Sequence, residues 1–108
     1  MSEKHITLVE FFDTHKNLNQ DEIILDVRRP DEFKEAHIEH ALNIPVDEVV
    51  QHADELKKYK KIFIHCKRGG RAKTAFEALT QKGLKNIVCV HDAGMDMWIE
   101  KGYPVKRD

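Results

Sequence analysis

Short apolar runs alternate along this chain with amphipathic stretches. Thr7-x-x-Glu10 reads as a capping box that opens a helix near Leu8. Leu8, Phe11 and Phe12 then share one face at helical spacing. Ile23-Ile24-Leu25-Asp26-Val27 is nearly continuous in apolar character, as a strand buried on both faces requires. Pro30 ends it and starts a short helix through Glu35. Leu42-Asn43-Ile44 forms a second short strand, stopped by Pro45, and Val46, Val49, Val50 and Ala53 mark a helix face. Ile62-Phe63-Ile64-His65 is the next strand, broken by Gly69-Gly70. Ala72, Ala75, Phe76 and Leu79 continue as an amphipathic helix with Gly83 at its C-terminal cap. Ile87-Val88-Cys89-Val90 is the last strand. Asp92-Ala93-Gly94 turn, and Met95, Trp98 and Ile99 fit the core face of a final helix stopped by Gly102 and Pro104.

Strands alternating with helices imply an α/β fold with a mostly parallel sheet. In such sheets ligands sit at the carboxyl ends of the strands. Three places follow: after Val27, after His65 and after Val90.

The totals narrow the field. At 108 residues the chain is expected to be one domain spanning 1–108, and no repeat, low-complexity tract or linker divides it. Hydrophobic residues are 41% and charged residues 34%, which suits a small globular core rather than disorder. The formal net charge is −1, so nothing global favours nucleic acid or an anionic membrane. No apolar run approaches the length needed to span a bilayer, and the N-terminal residues lack the apolar core of a signal peptide. Cys66 and Cys89 are the two cysteines, too few for a disulfide scaffold. The expected location is the cytoplasm, where thiols stay reduced.

Chemistry concentrates after His65, in Cys66-Lys67-Arg68-Gly69-Gly70-Arg71. This segment joins a strand to a helix. A helix start exposes unpaired N–H groups and the positive end of the helix dipole. Glycines let the chain turn so that several N–H groups converge on one point. From Cys66 to Phe76 there are four cations (Lys67, Arg68, Arg71 and Lys73) and no acid. Both features favour thiolate over thiol, and the thiolate is the nucleophile. The same cations would attract an anionic substrate.

With these residues in view, the chain resembles the rhodanese-like sulfurtransferases. Cys66-x-x-Gly69-x-Arg71 resembles their active-site loop. Leu25-Asp26-Val27-Arg28-x-Pro30-x-Glu32-Phe33 and Ala36-His37-Ile38-x-His40-Ala41-x-Asn43-Ile44-Pro45 resemble the first and second signatures. Gly94-Met95-x-x-Trp98 and Gly102-Tyr103-Pro104 resemble the closing segment. The likeness runs from about Thr7 to Val105 and is nearest to the stand-alone bacterial thiosulfate sulfurtransferases. It implies five parallel strands with helices on both faces. It also implies a Cys66 persulfide that takes sulfur from a donor such as thiosulfate and gives it to cyanide or a thiol. The backbone from Lys67 through Arg71 would cradle the sulfur, and no metal or organic cofactor would be needed. Where the family often has glycine, this chain has Ala36, His40 and Ala93. If position 40 needs a positive φ, His40 carries strain.

Other residues have plainer expected roles. Asp26 and Arg28 flank a strand end near the mouth, where an ion pair fixing the loop is preferred over substrate contact. Arg71 divides evenly between donor contact and pairing with a carboxylate. Lys67 and Arg68 either steer the donor or are simply solvated. His65 should face away from Cys66, because neighbours on a strand alternate faces. His37 and His40 are expected to be structural rather than metal ligands, and Cys89 a core residue rather than a resolving thiol.

Three rival functions stand beside sulfur transfer to a small acceptor. A cysteine phosphatase or arsenate reductase loop typically has five residues between Cys and Arg, whereas four stand here. A non-catalytic binding module is typical where the cysteine is lost. A sulfur relay would keep the chemistry and pass the sulfur to a protein thiol.

Overall fold

The computed structural model describes residues 4–107. Its centre is a five-stranded parallel sheet of order β1-β5-β4-β2-β3. The strands are β1 (His5–Ile6), β2 (Glu22–Asp26), β3 (Leu42–Asn43), β4 (Lys61–His65) and β5 (Ile87–Val90). The helices are α1 (Leu8–His15), α2 (Pro30–Glu35), α3 (Ala53–Leu56), α4 (Gly70–Gln81) and α5 (Met95–Glu100).

The α/β architecture with helices on both faces follows from the two-sided apolar strands. Alternate residues of β2, β4 and β5 feed two separate cores. Leu25, Ile62, Ile64, Ile87 and Cys89 pack with α3 and with Ala72, Ala75, Phe76 and Leu79 of α4. Ile24, Phe63, Val88 and Val90 pack with Leu8 and Phe11 of α1 and with Met95 and Trp98 of α5. One sheet face therefore belongs to α3 and α4, and the other to α1 and α5. This division later decides which side chains can approach Cys66.

Local signals in the sequence form as the physics demands. Thr7 and Glu10 close a capping box on α1. Gly83 (φ 91°) ends α4, with Leu84 N–H donating to Leu79 C=O and Gly83 N–H to Thr80 C=O. That is the paired bonding of a Schellman cap, and Leu84 is buried behind it.

Two expectations need correction, and one strand falls outside the sequence pattern. Residues Val46–His52 form a 3-10 segment, and only Ala53–Leu56 is α-helical. A three-residue turn rotates Val50 outward, so it is exposed while Val49 is buried. Ile99 is exposed as well, because the six-residue α5 turns only Met95 and Trp98 inward. Finally, β1 was too short to register as a pattern; its two residues pair with Cys89 and Val90.

His40 has φ 71°, the only positive φ outside glycine among the described residues. The expected strain at this position is therefore present. It is of the order of 1 kcal/mol for a non-glycine residue. The imidazole itself is almost wholly in solvent, so the strain is local to an exposed turn.

Candidate active site

Cys66 follows β4, and Gly70 begins α4, so the sequence between them must reverse within a few residues. Gly69 makes this turn with φ 115°. A Cβ there would stand 2.6 Å from the His91 carbonyl oxygen, so a side chain is excluded on two grounds. The turn aims backbone donors inward. Gly69 N–H donates to Cys66 Sγ at 3.0 Å, and Ala72 N–H donates to it at 3.3 Å. The sulfur thus sits at the N-terminal end of the 12-residue α4, where the helix dipole favours negative charge.

The loop is held from a second side by α5. Met95 N–H donates to Cys66 C=O at 2.8 Å, and Asp96 N–H to Lys67 C=O at 3.2 Å. Orphan donors of one helix start therefore fix the carbonyls of the loop, while those of another face the sulfur. The contact is so close that a Cβ on Gly94 would lie 2.1 Å from the Cys66 carbonyl oxygen. This anchoring depends on the return of α5 onto the loop, which the sequence around Gly94 and Met95 does not reveal.

Cys66 is 1% exposed. An open depression of about 530 Å³ lies over it, lined by Cys66, Lys67, Arg68, Gly70, Arg71 and Thr74. A larger cavity, about 610 Å³, lies at the start of β2 against Leu18, Ile24, Ile38 and Lys106. It is lined by no cysteine, so size is a poor guide here and the chemistry points to the smaller depression.

Two of the three cations around that depression are paired. Arg71 forms a fork with Glu32, at 2.7 Å from Nη1 to Oε1 and 3.2 Å from Nη2 to Oε2. The Arg71 hydrogen bond holds the Glu32 carboxyl down at about 2, against a smaller burial effect that would raise it. Arg68 Nε donates to Asp96 Oδ2 at 3.0 Å. Glu32 and Asp96 are the partners of the loop arginines that the sequence alone does not single out. Glu32 stood inside a motif, but its partner depends on β2 and β4 being adjacent in the sheet.

Asp26 and Arg28 lie elsewhere. Both are buried, and they line none of the depression. Arg28 Nε contacts both Asp26 oxygens, at 3.0 and 3.1 Å, and its Nη2 reaches Oδ2 at 2.8 Å. The same Nη2 donates to Ala36 C=O at 2.6 Å. This ion pair ties the end of β2 to the end of α2.

His65 faces away from Cys66, as alternation requires. It packs on Phe11 of α1 at a ring separation of 5.8 Å. Its Nε2 lies 3.8 Å from Asp26 Oδ2 and makes no hydrogen bond among the described residues. Burial pushes its pKa down, more than Asp26 raises it, and Arg28 lowers it further. Burial also opposes ionisation of Asp26, but His65 and the Arg28 fork outweigh that and keep its pKa low.

A pH dependence follows. In the unfolded chain His65 binds a proton as pH falls through about 6.5. In the folded protein it resists protonation, so the unfolded state gains protons first and stability declines below that pH. The urea midpoint should be flat above pH 7. It should fall between pH 6.5 and 5, with this one group contributing at most about 1.4 kcal/mol per pH unit. His65→Phe should flatten that portion; an unaltered pH profile in the variant would contradict the assignment.

Cys89 and His37 are packed into the fold. Cys89 is fully buried, and burial, with a smaller effect from Cys66, pushes its thiol up to about 11. It stays protonated at neutral pH and is a poor attacking group. His37 stacks on Phe33 at 3.9 Å, and its Nδ1 lies 2.8 Å from the Phe33 carbonyl.

Comparison with known proteins adds to this geometry. Residues 12–101 match the family described as the Rhodanese-like domain. A Bacillus subtilis protein named for a sulfur carrier role is 36% identical over 82% of this chain and 45% of its own length. A thiosulfate sulfurtransferase of Coxiella burnetii is 26% identical, covering 91% of this chain and 89% of that protein. The crystal structure of a rhodanese-related protein from Thermoplasma volcanium superposes with a TM-score of 0.82 at 34% identity. It covers 97% of this chain and 99% of the other. The chain spans about half the length of several curated relatives it matches.

Proposed function

Because the chain belongs to the rhodanese-like domain family, we propose that it is a sulfurtransferase whose Cys66 carries sulfur as a persulfide. The observation that carries this reading is the Cys66 sulfur beneath two inward-facing N–H groups. Those donors stabilise an anionic sulfur without a base. The nearest histidine in sequence, His65, is turned to the other face of the sheet.

In the proposed reaction the Cys66 thiolate attacks the outer sulfur of thiosulfate. A bond forms between the two sulfurs, and the bond within thiosulfate breaks. Sulfite leaves with the electron pair, and Cys66 becomes an anionic persulfide. The acceptor, cyanide or a thiolate, then attacks the outer persulfide sulfur and regenerates the Cys66 thiolate. Charge and atoms balance at each step, and no metal or organic cofactor takes part. A protein thiol as acceptor would make the domain a relay in the cytoplasm, a variant supported by its likeness to the sulfur carrier protein of Bacillus subtilis.

The phosphatase reading is disfavoured by the loop itself. Four residues separate Cys66 from Arg71, a tighter loop that suits a single sulfur better than a tetrahedral oxyanion, and the Gly69 and Ala72 amides converge on the sulfur. A coupled assay tests the choice. With thiosulfate and cyanide the protein should produce thiocyanate, at least about 1,000-fold less in Cys66→Ser, given the dependence of nucleophilic catalysis on its nucleophile. Aryl phosphate should not be hydrolysed. Cys66-dependent phosphate release without thiocyanate would replace this reading with the phosphatase one.

A further inference from the structure

The charges around the depression do not all remain available to a substrate. Lys67, Arg68 and Arg71 line it. Arg71 is held by Glu32 and Arg68 by Asp96, while Lys67 has no carboxylate partner among the described residues. Three cations and two carboxylates leave a net charge of about +1 at the mouth, not the +3 that the loop sequence suggests.

Asp96 is fixed in this position. It lies in the first turn of α5, and its N–H donates to the Lys67 carbonyl. Its carboxylate meets Arg68 Nε at 3.0 Å with both side chains largely in solvent, 78% and 48% exposed. The pair is worth little to folding. Its effect on an approaching anion is a different matter, because a dianion feels each unit charge twice as strongly as a monoanion does.

We propose that Asp96 is a specificity-determining residue: by neutralising Arg68, it sets the site to discriminate against doubly charged sulfur donors such as thiosulfate in favour of singly charged persulfides. The inference rests on Cys66 being the sulfur acceptor. With a persulfide donor, R–S–S⁻, the Cys66 thiolate takes the outer sulfur and R–S⁻ leaves. The step has the same bond changes as with thiosulfate, but one fewer negative charge converges on the loop.

The sign pattern of four proteins tests this. The probes are thiosulfate and 2-hydroxyethyl persulfide, which has no charge beyond its persulfide. The readout is the second-order rate of sulfur loading on Cys66, by intact mass at rapid-quench times. Asp96→Asn keeps a polar group in the α5 first turn and frees Arg68. It should raise the thiosulfate rate about fivefold at low ionic strength and the persulfide rate about twofold. Arg68→Ala leaves Asp96 uncompensated and should lower the thiosulfate rate about fivefold and the persulfide rate about twofold. The double variant should reverse both changes, and about 0.5 M salt should compress all of them. A purely structural role would not produce opposite signs from the two halves of one ion pair. Equal effects on both donors, or no increase in Asp96→Asn, would overturn the proposal while leaving the Cys66 reading intact. Failure of both donors to load wild-type Cys66 would overturn both.

Discussion

Gly94→Ala is expected to lower the melting temperature by about 15–30 °C, the largest effect of any single methyl addition at the site. A Cβ at position 94 would lie 2.1 Å from the Cys66 carbonyl oxygen and 2.6 Å from both the carbonyl carbon and oxygen of Lys67. All three are backbone atoms, so no flexible side chain can move aside. Relief requires α5 to retreat from the loop, which breaks the Met95 and Asp96 N–H bonds to Cys66 and Lys67. Overpacking together with two lost hydrogen bonds costs about 3–5 kcal/mol. That converts to the stated temperature range for a domain of this size. The contrasting control is Gly70→Ala. A Cβ there meets nothing within 4 Å, and alanine suits the start of α4. Calorimetry of the two variants should separate them widely; similar melting temperatures would mean that α5 does not clamp the loop.

Glu32→Ala should reduce sulfur transfer by about 10–100-fold while lowering stability by only about 1–2 kcal/mol. The carboxylate holds both arms of the Arg71 guanidinium. Arg71 stands next to Ala72, whose N–H contacts Cys66 Sγ. Releasing the fork loosens the residues that aim the cradle, and small misplacements are expensive in catalysis. Glu32→Gln keeps the shape but removes the charge, so its loss should be intermediate. The pair also has a defined pH range. Its folded pKa is depressed to about 2, so its contribution is complete above the ordinary value near 4.5 and disappears only as pH falls through about 2. Rates equal to wild type in Glu32→Ala would show that Arg71 does not need this partner.

The contrast between these residues and Cys66 shows what the sequence makes legible. Cys66, Gly69 and Arg71 are neighbours in the chain, and their chemistry follows from a strand, a tight turn and a helix start in succession. The α/β class was readable because strands buried on both faces lose the alternation seen in half-exposed sheets. Glu32 and Asp96 could not be found in the same way. Each is one of 19 acidic residues, and only the adjacency of β2 to β4 and the return of α5 onto the loop select them. The exposed Val50 and Ile99 were misread for a related reason. Helical spacing assigns a face only where the segment is regular and long enough to define one. His40 was legible only through the family resemblance, in which glycine often stands at that position, and the backbone there adopts the conformation that glycine favours.

Asp26 and Arg28 illustrate a limit of proximity in the sequence. Asp26 ends β2 and Arg28 follows it, beside the strand that leads into Cys66, yet the pleat turns Asp26 to the opposite face. Their buried ion pair holds the β2–α2 connection, and Glu32 of α2 in turn reaches Arg71. A buried pair on one face thereby anchors the helix whose Glu32 reaches Arg71 on the other.

The most direct measurement of the central claim is intact mass spectrometry after thiosulfate treatment of wild type, Cys66→Ala and Cys89→Ala. Wild type and Cys89→Ala should each gain one sulfur atom, and cyanide should remove it. Cys66→Ala should gain none. Sulfur added to Cys66→Ala but absent from Cys89→Ala, or no added sulfur in folded wild type with either thiosulfate or a small persulfide, would contradict the account of Cys66 as the carrier.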